Sequence, residues 1–182
     1  LTCATTGSTV IPVDKGGQAL GVLEPDNLNA QAWLWKDHTS HEQAAFITAK
    51  AKSMRPNYLE RCGGTYSSEW FWAKILRLKT IDPETFGKAY SFVELCDFLP
   101  ASLAGTQDPK ELKRSICAAG HKALYADEWG GLPDKEFLNE LDPALADLRD
   151  RLYVTALESD QVAGHVCEEW AQRTGLVEGT VI

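Results

Sequence analysis

Hydrophobic and polar positions along the chain alternate in short pieces at its start and recur with helical spacing further on. Leu1 to Thr5, Ser8 to Val13 and Ala19 to Leu23 are rich in β-branched and apolar residues, separated by the turns Thr6-Gly7-Ser8 and Asp14-Lys15-Gly16-Gly17. This predicts a short β-meander, joined by a strand-length apolar run from Ala30 to Trp35. Thr39-Ser40-His41-Glu42-Gln43 contains two overlapping capping boxes, Thr39 with Glu42 and Ser40 with Gln43, ahead of a helix ending near Arg55-Pro56. Ser67-Ser68-Glu69 opens a second helix through Trp70, Ala73, Ile75 and Leu78, and Asp82-Pro83-Glu84 starts a shorter one. Ser91 to Leu95 alternates like a strand, and Cys96 onward turns helical until Gly105. Beyond it lie a helix from Asp108 through Leu112, a Gly-interrupted segment from Cys117 to Tyr125, and the loop Trp129-Gly130-Gly131. Short helices follow at 134–141, 143–152 and 167–173. The pattern is α/β and helix-heavy, with strands at the start and near the middle. No internal repeat or flexible linker divides it.

Composition narrows the partners. The 182 residues hold 26 acidic against 18 basic side chains, a net charge of −8. Nucleic acid is therefore not an expected partner, because a backbone-binding face needs clustered Lys and Arg. The longest stretch free of charge is the 13 residues from Leu1 to Val13, so no membrane-spanning helix of about 20 apolar residues is expected. No basic head precedes an apolar run, so no signal peptide is expected either. The five cysteines (Cys3, Cys62, Cys96, Cys117, Cys167) are odd in number and without a C-x-x-C pair, which reads as free thiols in a cytoplasmic protein. Because the chain begins at Leu1 and its one methionine is Met54, the expectation is a piece of a longer protein.

Candidate chemistry is sparse. His38-x-x-His41 with Glu42 lacks the spacing of a zinc helix, and Cys117 with His121 supplies two ligands where a site needs more; no metal site is expected. Serine-hydrolase, dinucleotide and P-loop signatures are absent. The Thr5-Thr6-Gly7-Ser8-Thr9 loop could cradle a phosphate or a polyol, although the bare pattern favours a simple hairpin turn. Trp33, Trp35, Trp70 and Trp72 could stack on a sugar or fill the core. Lys122, beside Gly120 in a mostly apolar segment, is an unusual place for an ammonium, with a snorkelling surface lysine as the plain alternative.

A collinear series of segments carries a resemblance. It comprises Thr5-Thr6-Gly7-Ser8-Thr9, Leu34-Trp35-Lys36-Asp37-His38-Thr39, Gly63-Gly64-Thr65-Tyr66-Ser67-Ser68-Glu69-Trp70-Phe71-Trp72-Ala73-Lys74, Glu94-Leu95-Cys96-Asp97, Cys117-Ala118-Ala119-Gly120-His121-Lys122-Ala123-Leu124, Glu128-Trp129-Gly130-Gly131-Leu132-Pro133 and Glu168-Glu169-Trp170-Ala171-Gln172-Arg173. In these the chain resembles the FGGY carbohydrate kinases, and the Cys117–Leu124 tract points to the members acting on L-ribulose. The resemblance implies part of a ribonuclease H-like, actin-like domain, the sugar-binding first domain, with helical insertions. Its expected layout is a β-meander and strand at 1–35, a helical insertion at 40–90, a strand and helix at 91–105, and a substrate-side segment with short helices at 106–182. The implied activity is ATP-dependent phosphorylation of L-ribulose to L-ribulose 5-phosphate in arabinose catabolism, with ATP and Mg²⁺ as cofactors of the full-length enzyme and a homodimer as one assembly it allows. Alternatives are another pentulose kinase of the family and a non-catalytic carbohydrate-binding or interaction module.

Carried over by position, Lys122 matches a lysine that contacts the sugar, and Gly7 lies in the loop whose backbone approaches it. Tyr66 lines up with a substrate-contacting tyrosine of the related glycerol kinases, and Asp37 sits in a W-x-D motif with a supporting role. The general base, the ATP site and the Mg²⁺ site have no counterpart among these residues, so the chain by itself is expected to be inactive. Ala4 departs from the pattern, since the family usually has Asp there.

Overall fold

The computed structural model describes residues 1–182. Two strands, β1 (Val10–Val13) and β2 (Ser91–Glu94), pair antiparallel with Val10 opposite Glu94 and Val13 opposite Ser91. All eight residues are buried, and the pleat divides them between two cores. Val10 and Phe92 face a cluster of 30 buried residues; Ile11, Val13 and Val93 face a smaller one with Ala101 and Leu112. The odd-numbered residues of β1 direct their backbone to β2, as the flanking bonds Leu95 N–H to Thr9 O and Tyr90 N–H to Val13 O show (2.9 Å each). On the other edge Val10 exchanges both backbone bonds with Trp33 (3.1 and 2.8 Å). Pro12 points its missing N–H to that same edge, opposite Gln31, so the β1–β2 ladder is intact but the Trp33 pairing cannot continue in that direction.

The larger core is built by helices. These are α1 (Leu20–Leu23), α2 (His41–Met54), α3 (Phe71–Ile81), α4 (Pro83–Lys88), α5 (Leu95–Ala104), α6 (Ile116–Ala123), α7 (Lys135–Leu141), α8 (Pro143–Arg149) and α9 (Glu168–Thr174). Helix α3 is buried almost all round, from Phe71 through Ile75 to Leu78, as expected of a central rather than a surface helix. The Asp side chains of Asp82, Asp134 and Asp142 accept backbone N–H groups at the starts of α4, α7 and α8, and Gly105 and Gly175 end α5 and α9 in the left-handed conformation.

Of the expected meander only an isolated antiparallel bridge, Val13 to Ala19 across the Asp14–Gly17 turn, forms. Leu1 to Thr5 has no strand partner, and Leu20–Leu23 closes a helical turn through Glu24 N–H to Leu20 O at 2.8 Å. The Ala30–Trp35 run contributes only the Trp33 bridge, because in the next pairs Ser8 O is taken by the Lys74 ammonium (2.7 Å), Trp35 N–H by Thr9 Oγ1 (3.1 Å), and Pro12 has no N–H to offer Gln31. A strand cannot extend once its acceptors are occupied. The two capping boxes also fail: Ser40 Oγ has no partner, and Thr39 bonds back to Asp37. From Asp108 to Leu112 there is a turn, Leu112 N–H to Asp108 O at 2.8 Å, in place of a helix.

Candidate functional site

The Thr5–Thr9 loop runs directly into β1 and is tied from three sides. Thr6 Oγ1 and Thr9 Oγ1 share a hydrogen bond of 2.8 Å, and Thr9 Oγ1 accepts the Trp35 N–H at 3.1 Å. The third tie is Lys74, whose ammonium donates to Ser8 O at 2.7 Å, to Leu34 O at 2.7 Å and to Trp33 O at 3.3 Å. Lys74 lies on α3 among apolar residues and is 1% exposed. Burial pushes its pKa down to about 8, against the favourable charges of Asp37, Glu69 and Glu94.

The structure brings Gly7 and Lys122 together. A Cβ at Gly7 would stand 3.1 Å from Lys122 Nζ and 3.4 Å from Ala118 Cβ, so a side chain there would crowd the ammonium. Lys122 is half-buried near the end of α6, and its Nζ makes one long hydrogen bond, 3.3 Å to Cys117 O. Most of its donor capacity is therefore unspent.

Helix α6 is held firmly at both ends. At its start Asp97 Oδ1 accepts the Ser115 N–H (2.9 Å), and Ser115 Oγ accepts the Cys117 N–H (3.2 Å). At its end, where helical carbonyls lose their intrahelical donors, three aromatic side chains supply replacements. Tyr66 Oη donates to Lys122 O, Trp72 Nε1 to Ala123 O at 2.8 Å, and Trp129 Nε1 to Leu124 O at 2.9 Å. Leu124 itself is buried and left-handed (φ 56°), a conformation that costs a branched residue and persists only when its surroundings fix it. The two tryptophans thus serve as core and as caps.

Tyr66 is 2% exposed, and its hydroxyl also accepts the Trp72 N–H at 3.0 Å. With both functions of the hydroxyl engaged by backbone, Tyr66 meets the site through Lys122. Tyr66→Phe is expected to lower stability by about 1 to 3 kcal/mol and Tm by roughly 2 to 10 °C, because the Lys122 carbonyl and the Trp72 N–H lose their partner. Thermal unfolding checks this, and an unchanged Tm would contradict it.

Asp37 makes no hydrogen bond to Gly7 or Lys122. Its Oδ1 accepts Thr39 N–H and Thr39 Oγ1–H (2.7 and 2.6 Å), closing the turn before α2. Partial burial opposes its ionisation, but these bonds and the charges of Lys74 and Arg77 prevail and hold it below the usual carboxylate range. It lines a separate open cavity of about 610 Å³ with Trp33, Arg77 and Ile81.

Three charged residues that the sequence reading did not single out complete the site's surroundings: Lys74, Glu94 and Arg114, each at most 2% exposed. Glu94 ends β2 beside the loop, and burial, reinforced by the charge of Asp97, pushes its carboxyl well above the usual range. Asp97 is raised as well, by burial. Arg114 donates to Phe92 O at 3.0 Å and lies over the Tyr153 ring at 4.9 Å. A lysine at the centre of an apolar helix and a glutamate closing an otherwise apolar strand were the available signals.

Known proteins resemble the chain as a whole. Over 181 residues the chain is 47% identical to a ribulokinase of Vibrio parahaemolyticus serotype O3:K6, covering 98% of the chain and 32% of that protein. A ribulokinase of Shouchella clausii is 36% identical over 181 residues, 97% of the chain and 31% of that protein. Along nearly its whole length the chain is similar to part of these ribulokinases. It spans about a third of the length of these curated relatives. No family model matches it. Among solved structures, a xylulose kinase from Rhodospirillum rubrum superposes with a TM-score of 0.68 at 18% identity, covering 95% of this chain and 32% of that one. A gluconate kinase from Lactobacillus acidophilus gives 0.63 at 19% identity over 96% of this chain and 31% of that one. The fold is thus part of a sugar-kinase, actin-like fold, in agreement with the helix-heavy α/β expectation.

Proposed function

We propose that this chain forms the sugar-holding part of a kinase that phosphorylates L-ribulose on its 5-hydroxyl, using ATP. The observation that carries this reading is the pairing of a side-chain-free loop position, Gly7, with an ammonium that has donors to spare, Lys122. A neutral polyol needs donors and acceptors fixed at short range and a close backbone approach, and this pairing offers both. Tyr66, Trp72 and Trp129 fix the end of α6 from behind, so Lys122 would meet a sugar hydroxyl from a rigid base. Asp37 supports the site by shaping the 34–39 turn that Lys74 ties to the loop.

Phosphoryl transfer further needs a base for the hydroxyl proton and Mg²⁺ on the phosphates. This chain has no group of three His, Cys, Asp or Glu side chains able to hold a metal ion, so its residues do not fit the Mg²⁺ site, and no step through Mg²⁺ or ATP is assigned to them. The names of the relatives favour ribulose over other pentuloses. The test is ATP-dependent product formation by the full-length protein that carries this segment, with L-ribulose and D-xylulose compared. Formation of L-ribulose 5-phosphate with the higher kcat/KM is expected. Preference for D-xylulose would contradict the assigned substrate, and absence of any sugar phosphorylation would contradict the kinase reading.

A further inference from the structure

Glu94 is a buried acid whose Oε1 has no hydrogen-bond partner, at a place where the fold could have put an apolar residue. An unpaired buried carboxyl is expensive, so its retention calls for a partner supplied by the working state. Its position is tightly defined. Glu94 stands opposite Val10 in the ladder, and the adjacent Leu95 N–H bonds to Thr9 O at 2.9 Å, which sets the end of β2 against the base of the Gly7 loop.

Four charged groups act on it: the acid Asp97 and the cations Lys122, Arg114 and Lys74. Asp97 is occupied at the start of α6 by the Ser115 N–H. Arg114 keeps a buried Nε without a partner, but its guanidinium is fixed in place by the Phe92 carbonyl and the Tyr153 ring. Lys74 has its three donors on three carbonyls. Lys122 has donors in reserve beside Gly7, where an added Cβ would stand 3.1 Å from its Nζ, and its single bond is a long one within its own helix.

We infer that Glu94 is a positioning residue for Lys122: its carboxyl receives one donor of the Lys122 ammonium and so directs the remaining donors across Gly7 to the sugar. The inference rests on the reading of Lys122 as a sugar contact and adds the residue that aims it. An ammonium with three tetrahedral donors can serve the Cys117 carbonyl, the Glu94 carboxyl and a sugar hydroxyl at once. A charge-assisted bond from the ammonium to the buried Glu94 carboxyl orients it far more sharply than the 3.3 Å bond to Cys117 O.

The experiment is a double-mutant cycle in the full-length protein, following KM for L-ribulose, KM for ATP, kcat and Tm in Glu94→Gln, Lys122→Ala and the double variant. Glu94→Gln should raise KM for L-ribulose by about three- to tenfold, with kcat and KM for ATP within about twofold of wild type. In the Lys122→Ala background it should have no further effect, since it acts through that ammonium. A merely structural role would lower Tm and leave the sugar KM unmoved. Glu94→Asp keeps the carboxyl but withdraws it by one methylene; it should raise the same KM, and it serves the test if the amide variant does not fold. Full additivity of the two single effects, or an unchanged sugar KM in a folded Glu94 variant while Lys122→Ala is impaired, overturns this inference alone. An unaltered Lys122→Ala overturns the reading of the site as well.

Discussion

Lys122→Ala in the full-length protein is expected to lower kcat/KM for L-ribulose by roughly tenfold to over a hundredfold, which corresponds to about 1.5 to 3 kcal/mol for a lost charge-assisted hydrogen bond. The change should leave folding nearly intact. The Lys122 side chain is half-buried and makes one long contact, whereas the features that fix α6 at this point act on its backbone: the Tyr66 hydroxyl on the Lys122 carbonyl and the Trp72 indole on the Ala123 carbonyl. Loss of activity with an unchanged Tm is thus the signature of a substrate contact. A solvated surface lysine would give unchanged kinetics, and that result from a folded variant would remove Lys122 from the site.

The largest effect on stability is expected at Lys74. Lys74→Ala should destabilise the chain by about 3 to 5 kcal/mol, combining the cavity left by a buried four-carbon stem with the loss of the donor to Ser8 O. Lys74→Met keeps most of the stem and should cost less, about 1 to 3 kcal/mol, because the Trp33 and Leu34 carbonyls retain their bonds from Val10 N–H and Asp37 N–H. Chemical denaturation of the 182-residue chain checks both, and equal stability of wild type and Lys74→Ala would contradict the account. The pH dependence has a definite sign. Folded Lys74 titrates near 8 and an unperturbed lysine at 10.5, so between these values the unfolded state binds more protons and wild type gains stability relative to Lys74→Met as pH rises.

The helices were legible in the sequence where local signals and tertiary demand agreed. Asp82-Pro83 and Asp142-Pro143 start helices because the aspartate caps and the proline fits the first turn, and Gly105 and Gly175 end them because they adopt the left-handed conformation. The early strands were illegible for a different reason. A strand exists only with its partner, and the Ser8 carbonyl that would continue the Trp33 pairing is bound by a lysine 66 residues away. Ser40 shows the same limit, since its cap pattern is present but its hydroxyl stays unbonded.

The site was partly legible. Gly7 and Lys122 stood out by pattern and by family resemblance, but their adjacency depends on the docking of α6 against the loop, which no spacing within either segment encodes. The aromatic residues were visible as a group, whereas the role of Trp72 and Trp129 as donors to the end of α6 is a consequence of tertiary packing. Glu94 and Lys74 sit in apolar runs where a charged residue reads as the solvent side of an element. In the fold both sides are buried, so the charge faces inward.

The most direct test of the site is a crystal structure of the full-length protein with L-ribulose bound. The account predicts a sugar hydroxyl within hydrogen-bond distance of Lys122 Nζ, about 2.7 to 3.2 Å, with the ring or chain of the sugar lying against the Gly7 backbone. L-ribulose bound at a place where Lys122 and Gly7 make no contact with it would contradict the account.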